Sequence, residues 1–444
     1  MDIIRNVSTA LQEQLGDELD EIARECNVVQ REREFTGRTL LLMIVITLLK
    51  KPDAIWADFH DTAARLSLQV SRAAVEKRFK AGQPLVDFFK KVFEKVLRQS
   101  VIGDPSSTEL LQAFTAVLVG DATTIALPDE LADLFPGCGG TIGTSRAALK
   151  LQILWDLKMG QLVQLVVEPG RASDAKSPIA LAEAEAGTLL IYDLGYFDVS
   201  RFAALDAQKA KFISRLQHGT DVFDTDGSYL DLVPFFRGQT ASLVDQMILL
   251  GATVRLCCRL VAIRVPDEVA NRRRQQARDK AKKRGREPSA EYLELLGWSM
   301  FVTNSEVEEL TWKAVVVLYR ARWQIELLFK LWKSHNQLHR FRKGASALEI
   351  LAVFHAKLLG VVLQHWILVA TSWHVAARSF MKAAKKLADD IKEMMQALGD
   401  LGRLEELLRR LARLIENQAK TTNRNKNPSY AQLMDDPDLL DWLC

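Results

Sequence analysis

Three acids and a row of cations are the residues of this 444-residue chain whose types and spacing suit chemistry. The stretch "LYRARWQIELLFKLWKS" sets Tyr319, Arg322, Glu326 and Lys333 at offsets 0, 3, 7 and 14. On an ideal helix turning about 100° per residue, these fall at about 0°, −60°, −20° and −40°. A phenol, a guanidinium, a carboxylate and an ammonium then share one narrow stripe, with Lys330 at its edge. Leu318, Ala321, Ile325, Leu328, Phe329 and Trp332 take the opposite arc as core. Read as a solvated face, Arg322–Glu326 and Glu326–Lys330 pairs would each stabilise the helix by only about 0.3–0.5 kcal/mol. The same groups also suit a phosphate-binding surface with one metal ligand.

The other two acids close apolar runs. "VLVGDATT" puts Asp121 at the end of the first expected strand, and "LLIYDLGYF" puts Asp193 at the end of the fourth. Either alone reads as a turn starter. Neighbouring strand ends would bring both together, and a helix packed on the same sheet would add Glu326. Three close carboxylates repel one another unless divalent cations neutralise them, which implies hard metals with oxygen ligands. Two such ions about 4 Å apart activate a water or hydroxyl in phosphodiester chemistry.

The elements that must position these groups follow from patterning. Residues 1 to about 100 read as helical. "SVIGDPSST" at 100–108 reads as a linker. "AFTAVLVGD", "LKLQILWDL", "QLVQLVVEP" and "TLLIYD" read as strands, with a Met159–Gly160 turn joining the second and third. A short helix is expected in "SDAKSPIALAEAEA", another near 199–208, and a fifth strand in "KFISRL". "GSYLDLVPFF" and "ATVRLCCRLVAIRVP" read as further strands, ending at "LLGWSMFVTN". From about 310 the pattern is helical, broken by "TTNRNKNPSYAQ". The sum is an α/β fold with a mixed sheet.

The Y-x2-R-x3-E-x6-K spacing at Tyr319, Arg322, Glu326 and Lys333 resembles the signature of bacterial DDE transposases of the insertion-sequence-four family. "GDATT" around Asp121 and "DLGYF" around Asp193 look like that family's other acidic blocks. The 132 residues between Asp193 and Glu326 resemble its strand-rich insertion into a ribonuclease-H-like core. The similarity runs from about 110 to 345. It implies Asp121, Asp193 and Glu326 as catalytic metal ligands for two Mg²⁺ ions, with Mn²⁺ as a substitute. It implies Tyr319, Arg322, Lys330 and Lys333 as phosphate contacts, and Trp298 as a platform for a base flipped during DNA hairpin formation. The alternative for Trp298 is a buried strand aromatic. Arg215 on the fifth strand would also face DNA.

The expected layout is a helical DNA-binding region over 1–105 and a ribonuclease-H-like core over 106–217. A β-rich insertion over 218–298 and the rest of the core over 299–375 follow. A helical region over 376–444 is a possible dimer contact. The expected activity is cut-and-paste DNA transposition. The partners are double-stranded DNA, both terminal inverted repeats and target, and a second copy of the chain in a synaptic complex. The rivals are a catalytically silent relative acting as repressor and a ribonuclease-H-like repair nuclease.

Between Arg272 and Arg286 lie nine basic residues and one acid, among them Arg273, Arg274, Lys282, Lys283 and Arg284. Like charges at i,i+4 cost stability, and a phosphate backbone would remove that cost. "ADFHDTAARLSLQVSRAAVEKRF" has the outline of a helix-turn-helix whose second helix carries Arg72, Lys77 and Arg78. His335 and His339 stand at i,i+4 but lack the Glu of a zinc HExxH site. The five cysteines show no CxxC spacing, and the net charge of +3 does not itself demand a polyanion. No signal peptide or bilayer-length apolar run of roughly 20 residues is read, so no membrane role is expected. The expected location is a reducing bacterial-type cytoplasm, at the nucleoid.

Overall fold

The computed structural model describes residues 2–30, 34–106, 108–138, 146–181, 184–375, 377–422 and 428–442. Helices α1 (Ile3–Gln14), α2 (Glu18–Glu25), α3 (Gly37–Lys50), α4 (Trp56–Arg65), α5 (Arg72–Phe79) and α6 (Gln83–Arg98) come first. A short α7 (Glu109–Gln112) leads into β1 (Val117–Leu127), β2 (Ala147–Asp156), β3 (Leu162–Pro169) and β4 (Leu189–Tyr192). Then follow α8 (Val199–Ala207), β5 (Lys211–Arg215), β6 (Val222–Phe223), α9 (Leu232–Arg237), β7 (Leu243–Leu250) and β8 (Leu256–Arg264). After these come α10 (Asp267–Lys282), α11 (Ala290–Leu295), β9 (Trp298–Thr303), α12 (Trp312–Ala321) and α13 (Trp323–Lys330). The last are α14 (Ala347–Ser372), α15 (Phe380–Gln396), α16 (Leu401–Gln418) and α17 (Tyr430–Asp435).

Among the described residues the strands form one mixed sheet, ordered β3-β2-β1-β4-β5-β9-β8-β7-β6, so the fold is α/β as expected. The chain forms two compact units: residues 1–107, 122–172 and 324–421, and residues 108–121, 173–323 and 422–444.

In the second unit, β1, β4 and β5 are parallel neighbours and the strands beyond β5 are antiparallel. Strand β9 pairs with both β5 and β8, Thr303 facing Ile213 on one side and Arg259 on the other. The strands of the 218–298 region therefore extend the core sheet. The structure differs from three local expectations. "GSYLDLVPFF" holds α9, because the Asp231 side chain accepts from the Val233 amide and Pro234 fits a first helical turn. Strand β7, which was not expected, supplies the pairing edge for β8. Residues 174–181 form 3₁₀ turns, Asp174–Lys176 and Pro178–Leu181, where a helix was expected. Pro178 lacks the amide needed to continue the first turn.

In the first unit, α14 is apolar all round and packs against α1, α3, α6, α15 and α16. It is long and apolar enough to cross a membrane, and most of it is buried in the protein. Residues 100–106 are packed chain: the Gly103 amide donates to Met159 O at 2.8 Å and the Ser106 amide to Lys158 O at 2.9 Å. The β2–β3 turn is seated among aromatics. Gly160, at φ +74°, leaves no room for a Cβ, which would lie 2.5 Å from the Trp373 ring. Trp155 Nε1 donates to Gly160 O at 3.1 Å, and His365 Nε2 lies 2.7 Å from the same oxygen. Burial lowers the His365 pKa to about 4, so the ring is neutral and Nε2–H can donate.

Candidate functional site

The parallel register of β1 and β4 pairs Gly120 with Tyr192. Asp121 and Asp193, each the next residue along, therefore stand side by side. Strand β1 runs on to Leu127, so Asp121 is internal to its strand, contrary to the expected strand end. Asp193 does follow the last residue of β4. A single side chain bridges the two: Arg322 Nη1 lies 2.7 Å from Asp121 Oδ2, and Arg322 Nε lies 3.8 Å from Asp193 Oδ1.

Near the aspartates lies a pair of stacked tyrosines. Tyr196 is buried and stacks on Tyr192, ring centroids 5.5 Å apart. Burial raises the Tyr196 pKa strongly, and the charges of Asp174, Asp121 and Asp193 add to the shift. Arg201 braces this pair, donating to Tyr196 O at 2.6 Å and to Ala175 O at 3.1 Å. A Cβ on Gly195 would lie 3.0 Å from Asp174 Oδ2, so the glycine lets this further acid approach. Sequence reasoning passed over Asp174 and Tyr196. The tyrosine is within the quoted "DLGYF", but Asp174 lies in a stretch read only as a helix.

The polar stripe is carried by a discontinuous helix rather than the regular one expected. Helix α12 starts at the Thr311 cap and ends at Ala321; Arg322 is its C-cap, and its amide donates to Tyr319 O at 3.2 Å. Helix α13 follows, then a π-helical turn at Leu331–His335. A π turn rotates less per residue than an α-helix, so Lys333 leaves the ideal −40° position. Tyr319 is buried against Phe301, ring centroids 5.1 Å apart, and the Arg322 guanidinium carbon is 5.9 Å from its ring. Desolvation raises the Tyr319 pKa, partly opposed by Arg322, so the phenol keeps its proton and can donate. Arg215 ends β5, half-buried, and its charge is felt by Tyr319. Asp121, Asp193, Arg322, Tyr319 and Arg215 thus form one cluster in the second unit.

Glu326 sits half-buried in α13 and is counted with the first unit. Lys330 is exposed, and Lys333 is half-buried with its pKa lowered by desolvation. Among the described residues, no group of three or more His, Cys, Asp or Glu forms a metal-type cluster. Asp121 and Asp193 still offer the oxygen donors a hard divalent cation takes, on two strands that hold them close to one positive charge. His335 and His339 are held below the ordinary imidazole range by burial.

Trp298 is only 8 % exposed. It stacks on Phe236 at 4.6 Å, and the Arg264 guanidinium carbon lies 4.8 Å from its ring. Trp323, beside Arg322, is 57 % exposed. In the basic run, Arg273 donates to Trp298 O and Ser299 Oγ, and Arg274 to Leu293 O and Asn271 Oδ1. These two fasten α10, while Arg272, Lys282, Lys283 and Arg284 are exposed. In α5, Arg78 donates to Val28 O at 3.1 Å, whereas Arg72 and Lys77 are exposed.

A family model described as the transposase DDE domain matches residues 112–358, more than half of the chain. The chain is 26% identical over 446 residues to the transposase for insertion sequence element IS231F of Bacillus thuringiensis subsp. israelensis, covering 94% of this chain and 92% of the relative. Identity to the transposase for insertion sequence element IS231E of Bacillus thuringiensis subsp. finitimus is 28% over 346 residues, 72% of this chain and 71% of the relative. A putative transposase InsL for insertion sequence element IS186A of Escherichia coli (strain K12) is 25% identical over 342 residues, 73% of this chain and 84% of the relative.

Proposed function

Because the chain belongs to the transposase DDE domain family, we propose that it is an insertion-sequence transposase that cuts the ends of its element and joins them to new DNA. The observation that carries this reading is the pair Asp121 and Asp193, side by side on parallel strands and sharing the Arg322 guanidinium. Asp121, Asp193 and Glu326 would hold two divalent cations, Mg²⁺ with Mn²⁺ as a substitute. Bound there, the cations supply Lewis-acid activation of water or a DNA 3′-hydroxyl and stabilise the leaving oxygen.

The chain's own residues supply positioning. Tyr319 donates from a protonated phenol to a phosphate oxygen. Arg322, Arg215, Lys330 and Lys333 balance phosphate charge near the scissile bond. The exposed Arg272, Lys282, Lys283 and Arg284, with Arg72 and Lys77, add sequence-independent backbone contacts. Arg273, Arg274 and Arg78 contribute by fixing the helices that carry those cations. The reading includes a DNA hairpin intermediate, a dimer that pairs two element ends, and action at the bacterial nucleoid. Where a base leaves the stack, Trp323 is the exposed indole, which favours it over Trp298 as the platform.

The test is cleavage of an end-labelled duplex carrying the inverted repeat that flanks this chain's own gene. Asp121→Asn, Asp193→Asn and Glu326→Gln should each lower Mg²⁺-dependent nicking by about 10³-fold or more, as expected from losing several kcal/mol of charge stabilisation. End binding should persist in gel shifts. An Asp193→Asn chain that still nicks at the native rate sinks the assignment.

A further inference from the structure

We propose that Arg322 is an exchangeable counter-cation that couples divalent-cation binding at Asp121 and Asp193 to the arrival of a DNA phosphate. The inference rests on the transposase reading and goes beyond it, because it assigns Arg322 two alternating partners.

The geometry is that of a charge shared among acids. One nitrogen of the guanidinium touches Asp121 at 2.7 Å, and another stands 3.8 Å from Asp193. Both Arg322 and Asp121 side chains are only 14% exposed, so salt and water screen this interaction weakly. A divalent cation held by the same carboxylates would lie within a few ångströms of the guanidinium and repel it, and at that range the repulsion is large. Arg322 therefore opposes the cation as long as it remains between the aspartates.

A phosphate changes the balance. It offers a guanidinium two parallel acceptors, the arrangement arginine binds best. Arg322 sits at the junction between α12 and α13, where the regular helix is interrupted. Its neighbour Tyr319 adds a donor, and Arg215, whose charge reaches Tyr319, adds a second cation nearby. Movement of the guanidinium from the aspartates to a phosphate withdraws its positive charge from both carboxylates, which favours a divalent cation in its place. DNA should tighten cation binding, and by linkage the cation should tighten DNA binding by the same factor. The consequence is a site that holds its metals poorly until DNA is in place.

The experiment counts Mn²⁺ bound to the full chain by electron paramagnetic resonance of the free ion. It is run with and without the inverted-repeat duplex, and Mn²⁺ taken up by the duplex alone is subtracted. The native chain should bind Mn²⁺ about tenfold more tightly with the duplex than without it. Arg322→Gln should bind Mn²⁺ about tenfold more tightly than the native chain in the absence of DNA, and should gain less than about twofold from the duplex. Arg322→Lys retains the charge and should stay within about twofold of the native chain without DNA.

Weaker or unchanged Mn²⁺ binding by Arg322→Gln overturns the proposal, because the arginine then organises the carboxylates instead of competing at them. So does a native chain whose Mn²⁺ affinity ignores the duplex, a result independent of how any variant folds. The double variant Asp121→Asn, Asp193→Asn separates this failure from that of the parent reading. If it binds Mn²⁺ like the native chain, the aspartates are not the metal site and the proposed function itself fails. If it loses the ion while Arg322→Gln behaves as native, only the coupling is wrong.

Discussion

Two arginine–aspartate pairs in the same compact unit are put to opposite uses. Arg259, on β8, is 1% exposed in its side chain and grips Asp245 with two nitrogens, at 2.5 and 2.6 Å. Its Nη1 donates to Leu310 O at 2.6 Å and to Glu306 O at 3.4 Å. That arginine ties two sheet strands to the segment that precedes α12, and its donors are spent on one fixed set of acceptors. Arg322 lies 2.7 Å from Asp121 and 3.8 Å from Asp193, dividing its charge between the two acids. The first pair is closed by bidentate geometry around a fully buried guanidinium; the second is divided between acids. Bidentate closure marks a structural charge, and division between two acids marks one that can be redistributed.

The sharpest way to break that comparison is to remove each arginine. Arg259→Met leaves Asp245 without its partner and should cost about 3–5 kcal/mol of stability, as expected for breaking a buried pair. Arg322→Gln should cost less, about 1–2 kcal/mol, because a neutral amide can still donate to Asp121 and the Asp193 side chain remains 43% exposed. Guanidinium unfolding followed by circular dichroism measures both. If the Arg322 variant is as destabilised as the Arg259 variant, Arg322 is a structural clamp and the contrast is false.

The legibility of these residues in the sequence divides along the same line. Asp121, Asp193 and the Tyr319–Arg322–Glu326–Lys333 spacing stood out because strand-end acids and a helical polar stripe are patterns of composition and period. The side-by-side placement of the aspartates followed from reading "VLVGD" and "LLIYD" as neighbouring strands, and the β1–β4 register has that form. What stayed hidden depends on tertiary partners. Arg259 lies in an apolar strand, and nothing local distinguishes it from an exposed strand residue. Strand β7 reads poorly because Asp245 and Gln246 interrupt its apolar run. Asp121, the acid that Arg322 approaches to 2.7 Å, is 201 residues away in sequence. The burial of Trp298 depends on Phe236 in α9, a segment whose Tyr–Leu–Asp–Leu alternation imitates a strand.

Trp298 and Trp323 allow a finer test of the same distinction. Trp298 has ring partners and little surface, whereas Trp323 is exposed beside Arg322. Stacking on an extruded base is worth about 1–3 kcal/mol, so Trp323→Ala should slow hairpin formation by about 10- to 100-fold while sparing first-strand nicking. Trp298→Ala should instead lower the unfolding midpoint and depress both steps together. A gel time course that scores nicked and hairpin products separately decides between them. Selective loss of the hairpin in Trp298→Ala, with unchanged stability, would show that burial at that position does not exclude a DNA base.

The smallest expected effect concerns Lys357, a third kind of buried cation in the other unit. Among the described residues its ammonium has no carboxylate partner at hydrogen-bond distance; it donates to Gln337 O at 3.0 Å and to Arg340 O, and lies 5.2 Å from the Phe341 ring centroid. It therefore fastens the chain just after the π turn that carries Lys333. Desolvation pushes its pKa from 10.5 down to about 7, Arg340 adds to the shift, and Asp53 opposes it. The unfolded chain then binds more protons at this group than the folded chain between about pH 7 and 10.5, so its contribution to stability rises with pH across that window. Below pH 7 the folded protein bears the cost of burying the charged form. Between pH 7 and 8 the rise should be about 1 kcal/mol, within the limit of about 1.4 kcal/mol per pH unit for one proton. Lys357→Met removes this titration. The difference in unfolding free energy between native and variant should shift toward the native chain by that amount from pH 7 to 8, cancelling the titration of groups elsewhere. A difference that stays flat with pH would mean that the ammonium is retained on its carbonyls throughout, which would place Lys357 with Arg259 among the structural charges.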